Sequence, residues 1–299
     1  MRHEVLSRVR CSRVVRKFAV GVLAAFAVAA SPGFAQTIHV DLVAKDVLET
    51  RLKAGLVSER QRQGVIRGLF TEVGCAAEDQ PVNKKFGNVI CTLPGETDGT
   101  ILVSGHSDFV EAGTGIVDDW TGTALLPSLY QSMISKAVGD DAARSDRTQG
   151  YKARRHTFQF VAFTEEERGL VGSSYFVKHL SKEQRQKIRA VVNLECLGLT
   201  PPKVWASRAN KTLLNGLAGI AKNSQIELRG SNVDRVGDDD TRPFLSCGIP
   251  VITIHSVTTE TFGILHSSGD TFKAVNMTYY DDAYRLVALY LAFLDRTLQ

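Results

Sequence analysis

The sequence predicts a single α/β domain with a mostly parallel central sheet flanked by helices on both faces. Three observations lead there. Short apolar, β-branched runs alternate with stretches of helical spacing from about residue 42 to the C-terminus, the pattern of parallel sheets. No internal repeat and no Pro/Ser-rich linker divides the 299 residues. The acidic and imidazole side chains suited to chemistry fall just after the apolar runs, where open α/β sheets place their ligand sites.

The first 35 residues stand apart. Arg2, Arg8, Arg10, Arg13, Arg16 and Lys17 precede an apolar run over 18–30, and Gly33 and Ala35 offer small residues before Gln36. This is a secretory leader pattern with a long basic start. Its roughly 13 apolar residues are too few to span a bilayer. Residues 1–35 are therefore read as a signal peptide and 36–299 as the functional domain. The formal net charge of +4 belongs to the leader, because residues 36–299 carry 30 basic and 31 acidic side chains. A near-neutral domain gives no case for nucleic-acid binding, and no membrane contact is expected after cleavage. The protein is expected in the periplasm or outside the cell, as a monomer. An exported chain can form disulfides. Cys75 and Cys91 bracket a polar loop with Pro81 and Gly87 and form the expected bridge, whereas Cys196 and Cys247 are left as a second pair or two free thiols.

In order, 42–56 has helical spacing. Ser58-Glu59-Arg60-Gln61 is a capping box for a second helix to about Val73, with Val65, Ile66, Leu69 and Phe70 as its apolar stripe. Strands are expected at 88–93 and 100–104, joined by the turn residues 94–99. A Gly-rich loop over 113–122 leads into a helix to about Lys136, in which Pro127 belongs to the first turns or makes a kink. Residues 138–155 are polar and read as an exposed insertion. A strand at 158–163, a helix at 170–179 and strands at 190–194 and 203–207 follow. A helix at 212–221, a loop at 238–244, a buried strand at 249–255 and a loop at 264–271 come next. The last element is an amphipathic helix at 278–298 with Tyr284, Val287, Leu291 and Leu294 on one face.

The chemistry gathers at strand ends. Phe160-Val161-Ala162-Phe163 ends in Glu165-Glu166-Glu167, three carboxylates that repel one another unless a cation sits among them. His106 and Asp108 follow the second strand, Asp118 lies in the Gly-rich loop, Glu195 ends another strand, and His266 lies in the last loop. Singly, each has an ordinary explanation: a helix N-terminus for the acids, turn chemistry for Asp118 and Asp119, a loop hydrogen bond for a histidine. Jointly, two imidazoles and three carboxylates suit two zinc ions. His106, Asp118, Glu167, Glu195 and His266 are the expected ligands. Glu166, beside Glu167, is placed to act as general base on a water held by the pair. Asp108 is placed to hold the other N–H of His106.

The motifs Gly105-His106-Ser107-Asp108, Gly115-Ile116-Val117-Asp118-Asp119-Trp120-Thr121-Gly122, Glu166-Glu167-Arg168-Gly169-Leu170-Val171-Gly172-Ser173, Asn193-Leu194-Glu195, Asp239-Asp240-Thr241-Arg242-Pro243-Phe244 and His266-Ser267-Ser268-Gly269-Asp270-Thr271 occur in this order. Together they resemble the secreted zinc aminopeptidases of peptidase family M28, the bacterial leucyl aminopeptidase type, to which glutaminyl cyclases are related. The resemblance runs from Asn88 to the C-terminus. It implies that His106 and Glu195 bind one zinc, that Glu167 and His266 bind the other, and that Asp118 bridges them. It also implies Glu166 as proton shuttle, Asp108 as the group orienting His106, and Asp240 as a substrate-binding residue. Glu165 is then the unconstrained neighbour. The chain departs from the family pattern at Glu195, usually Asp, at Asp119, often Asn, and at Thr241, usually His. Leu265 stands where some members carry a tyrosine directed at the oxyanion.

The activity so implied is removal of the N-terminal residue from peptides with a free amino terminus, held by Glu166 and Glu195. The alternatives are a glutaminyl cyclase-like acyltransferase needing one zinc, a carboxypeptidase or dipeptidase with Arg235 or Arg242 as carboxylate clamp, and a non-catalytic relative.

Overall fold

The computed structural model describes residues 40–134, 154–234 and 237–299. The leader at 1–35, most of the 138–155 insertion and Arg235 lie outside the described residues. Two helices open the described chain, α1 (Lys45–Lys53) and α2 (Glu59–Glu72). The capping box is present, with the Ser58 amide donating to Gln61 Oε1 at 3.1 Å. The strands are β1 (Glu78–Pro81), β2 (Gly87–Leu93), β3 (Thr100–His106), β4 (Thr157–Phe163), β5 (Ile188–Glu195), β6 (Lys203–Val204), β7 (Arg229–Gly230) and β8 (Val251–His255). Between them lie α3 (Thr121–Met133), α4 (Val171–His179), α5 (Lys182–Lys187), α6 (Lys211–Ser224) and the single turn α7 (Arg242–Leu245), and α8 (Met277–Thr297) ends the chain. Among the described residues, no helix is long and apolar enough to cross a membrane.

The expectation of an α/β domain with helices on both faces holds, but the sheet is mixed. Its order is β1-β2-β4-β3-β5-β8-β6-β7. The four central strands β4, β3, β5 and β8 are mutually parallel. Antiparallel pairings flank them at β1–β2, β2–β4 and β6–β8. β2 and β3, though joined by a short turn, do not pair, because β4 inserts between them. A local turn signal specifies a reversal of the chain and not the partner of each strand. The edge strand β1, read as loop, carries exposed Glu78 and Asp79 and ends in Pro81, which suits an edge and hides the strand pattern.

Alternating side chains divide the core into two layers. Phe158, Phe160, Val103, Val192 and Ile252 pack with α1, α2, α3, α6 and α8 on one face. Val161, Phe163, Leu102, Val191 and Val251 pack with Phe176 of α4 and Phe244 of α7 on the other. Pro127 lies inside α3, which begins at Thr121 after the Gly-rich loop has turned through Ile116–Trp120 with non-helical backbone at Asp118 and Asp119. On α8, Tyr284, Val287, Leu291 and Leu294 are all buried, as their spacing predicts. The Cys75–Cys91 disulfide joins the end of α2 to β2, while Cys196 and Cys247 are free thiols, the first buried and the second exposed.

Candidate metal centre

Parallel register brings the donors together. His106 at the end of β3 pairs with Phe163 of β4, so the carboxylates after Phe163 emerge beside it. Glu195 ends β5 opposite His255 of β8. His266 is in the loop beyond β8, and Asp118 is in the loop that crosses the same sheet edge between β3 and α3.

All five sequence-predicted donors meet there. His106 Nε2 lies 3.2 Å from Asp118 Oδ1 and 3.2 Å from Glu195 Oε1. His266 Nε2 lies 3.1 Å from Asp118 Oδ2 and 3.0 Å from Glu167 Oε2. Each histidine thus heads one triad, and Asp118 gives one carboxylate oxygen to each. Glu166 Oε2 stands 3.9 Å from His106 Nε2, outside both triads but adjacent to one. Glu165 points elsewhere, toward Asn83 and, at 3.7 Å, toward Arg168.

Asp108 does more than orient a ring. His106 Nδ1 lies 3.5 Å from its carboxylate and 3.2 Å from its carbonyl. The same carboxylate accepts the amides of Glu166 and Glu167 at 3.0 and 3.1 Å, which fixes the backbone of both glutamates relative to His106. Asp119 lies beside one triad, with a carboxylate oxygen within 4.8 Å of ligand atoms of His106 and Glu195. It accepts the backbone amides of His106, Gly122 and Cys196 at 3.3, 3.1 and 2.9 Å, so it joins three of the segments around the centre. Only glycine fits at position 122, where a Cβ would sit 2.5 Å from both Asp119 Oδ2 and the Leu194 carbonyl.

Burial and like charge dominate the electrostatics. His106 is fully buried, which alone disfavours its charged form, yet Glu166 and Glu195 hold its pKa well above the ordinary value. Burial would raise Asp118, but hydrogen bonds from His106 and His266 hold it well below the usual carboxylate range. Burial pushes Glu166 up to about 10, with Asp240, Glu195 and Glu167 adding to the effect. Burial likewise pushes Glu167 up to about 7. So many carboxylates gathered on two imidazoles form a site of excess negative charge. Two divalent cations with nitrogen and oxygen ligands fit it in charge and in donor type.

A cavity of about 320 Å³ opens from the triads. Leu170, Trp205, Val233, Val257, Phe262 and Leu265 give it apolar walls. Asp238 and Asp239 line it too, but Asp240 does not. The expectation for Asp240 as a substrate-binding residue therefore lacks a surface on the cavity. Asp240 is fully buried; Ser173 approaches it, but among the described residues neither oxygen has a partner in hydrogen-bonding geometry. Arg242 is half-exposed and 3.7 Å from Asp238, outside the cavity lining. His255, which sequence reasoning passed over, is in the cavity wall. Its Nδ1 accepts the Val257 amide at 3.1 Å and its Nε2–H donates to the Ser231 carbonyl at 3.0 Å, so the ring is neutral.

Fold and donor set together define the class of α/β metal-dependent hydrolases. The chain belongs to peptidase family M28, whose match spans residues 88–291. It is 30% identical over 169 residues to leupeptin-inactivating enzyme 1 of Streptomyces exfoliatus, covering 55% of this chain and 34% of that protein. A probable leucine aminopeptidase 2 of Aspergillus oryzae is 32% identical over 164 residues, covering 53% and 30%. The match thus spans about a third of these relatives' own length. Among solved structures, the LapA aminopeptidase of Legionella pneumophila superposes with a TM-score of 0.71 at 17% identity, covering 86% of this chain and 73% of that one. An Acidobacteriales bacterium glutaminyl cyclase superposes with a TM-score of 0.65 at 17% identity, covering 88% and 99%. These two likenesses are of fold.

Proposed function

We propose that the chain is an exported di-zinc aminopeptidase. One observation carries this reading: the two oxygens of Asp118 face two histidines at 3.2 and 3.1 Å, each histidine with its own terminal carboxylate. His106 and Glu195 would hold one ion, Glu167 and His266 the other, and Asp118 both. Bound there, two zinc ions would supply a water nucleophile at neutral pH and charge to offset a developing oxyanion. Burial holds Glu166 protonated without the ions; with their positive charge beside it, Glu166 would be ionised and could accept a proton from the nucleophile and return it to the leaving amine. Glu166 and Glu195 together hold the free α-amine, which favours substrates with an unblocked N-terminus. The apolar cavity walls receive the first side chain. The Cys75–Cys91 bridge supports an oxidising, extracytoplasmic location, and so an N-terminal signal peptide removed before residue 36.

The test is Glu166→Gln assayed on amino-acyl amides. The variant is expected to bind two zinc ions per chain and to lose about 10²- to 10⁴-fold in turnover. Undiminished turnover removes Glu166 from this role. A second reading, cyclisation of N-terminal glutamine, is favoured by coverage of nearly the whole length of a glutaminyl cyclase in the superposition, 99%. One zinc per chain with activity on N-terminal glutamine substrates alone would establish it in place of the first.

A further inference from the structure

We infer that Arg62 and Asp270 are a pair of positioning residues that grip the Asp118 loop from opposite sides and set the spacing of the two donor triads. This rests on the di-metal reading above. Arg62 is on α2, far from the site in sequence, and is fully buried. Among the described residues its guanidinium donates to carbonyl oxygens alone: Thr114 at 2.7 Å, Gly115 at 2.8 Å, Ser107 at 3.2 Å and Gly55 at 3.3 Å. The plane is held between aromatic rings, with Cζ 4.2 Å from the Phe109 centroid and 5.1 Å from that of Trp120. One cation thereby ties the residue after His106 to the start of the loop that carries Asp118.

Asp270 completes the grip with the opposite polarity. Its carboxylate accepts the amides of Val117 at 2.7 Å and Asp118 at 3.4 Å. Its carbonyl accepts the amide and hydroxyl of Thr114 at 2.8 and 2.9 Å. Asp270 is four residues after His266, so it ties the second histidine's loop to the same segment. A cation thus takes the loop's carbonyls and an anion takes its amides; between them they bond the backbone of the His106 and Asp118 segments, and Asp270 itself belongs to the His266 segment. Close passage is built in at Gly113, where a Cβ would sit 2.4 Å from the Ser267 carbonyl. The bridging carboxylate must give one oxygen to each triad, so a small rotation of this loop would unbalance both. A lysine keeps the charge of Arg62 but lacks the planar fork that reaches Ser107 and Thr114 at once.

The test uses the whole chain, metal-stripped and titrated with zinc against a competing chelator, for wild type, Arg62→Lys and Asp270→Asn. Both variants are expected to bind zinc about 10- to 100-fold more weakly, the range for groups that orient ligands. Amide exchange in the metal-free proteins should rise in 113–118 and stay unchanged in β5 and β8. A purely structural arginine would lower thermal stability without changing zinc affinity or exchange in that loop alone. Folded variants with wild-type zinc affinity and wild-type exchange in 113–118 overturn the inference. If Arg62→Lys does not fold, Asp270→Asn decides, since it keeps every Arg62 contact and removes one acceptor. If wild type itself binds no zinc pair, the di-metal reading fails. The exchange measurement then judges the grip independently.

Discussion

His255 offers a test whose size follows from the structure. The ring is 2% exposed, and burial pushes its pKa from 6.5 down to about 4. Protonation would also convert Nδ1, the acceptor for the Val257 amide, into a donor facing a donor. The unfolded chain therefore binds a proton between pH 6.5 and 4 where the folded chain does not, so stability from the neutral ring is present above pH 6.5 and lost as pH falls toward 4. A shift of about 2.5 units corresponds to about 3 kcal/mol, of which about 2 kcal/mol is gone by pH 5. The assay is urea unfolding from pH 7.5 to 4 on wild type and His255→Gln. The variant is less stable at pH 7 because it fits the site less well, but the wild-type curve should converge on it by about 2 kcal/mol between pH 7 and 5. Parallel curves over that range would refute a neutral buried ring.

Three further outcomes are expected. Replacing Cys75 and Cys91 by serine releases a constraint over a sequence separation of 16, so stability should fall by about 3 kcal/mol in urea titration. Asp119→Asn leaves one of the backbone amides of His106, Gly122 and Cys196 without its acceptor, which should lower the unfolding free energy by about 1–3 kcal/mol; an unchanged urea midpoint would count against it. On the di-zinc reading, a chelator lowers the melting temperature, and zinc at a hundred times its dissociation constant restores about 2.7 kcal/mol per site.

The candidate donors and one support, Asp108, were legible in the sequence; the supports Arg62, Asp119 and Asp270 were not. His106, Glu167 and Glu195 announce themselves because a strand pattern stops and a metal-binding residue type follows. Parallel topology then makes such positions converge whatever their separation. Asp118 and His266 were legible only jointly with the others, since turn chemistry alone accounts for an acid or an imidazole in a loop, and the motif resemblance added which ion each would hold. The order of strands was less legible, as β4 between β2 and β3 shows, because pairing depends on facing surfaces and not on the connecting turn. Arg62 left one unread sign: with Ile66, Leu69 and Phe70 it occupies the buried stripe of α2, where an unpaired charge would not be tolerated. Its partners are carbonyl groups, which no residue identity reveals. Among the described residues Asp119 likewise bonds to three backbone amides and one threonine hydroxyl, so a family position often filled by Asn gave no hint of three amides to satisfy.

Two departures from the family pattern have different physical weight. Glu195 is one methylene longer than the usual aspartate, yet the triads remain matched, with histidine-to-carboxylate distances of 3.2 Å on one side and 3.0 Å on the other. The extra length is taken up along β5. Asn193, two residues earlier on the same face, donates to Glu195 Oε2 at 3.0 Å and is itself held by the Ser104 hydroxyl at 2.7 Å. That hydrogen bond draws one oxygen back and leaves Oε1 facing His106, so the carboxylate offers the centre a single oxygen. Leu265 is not compensated in the same way. It lines the cavity with an apolar side chain where a phenol would have donated to a developing negative charge. A substitution that preserves atoms at the site changes tuning, whereas one that removes a donor changes what the site can stabilise. The reaction's dependence on the residues at 166 and 195 should therefore be greater here than in relatives that keep the tyrosine.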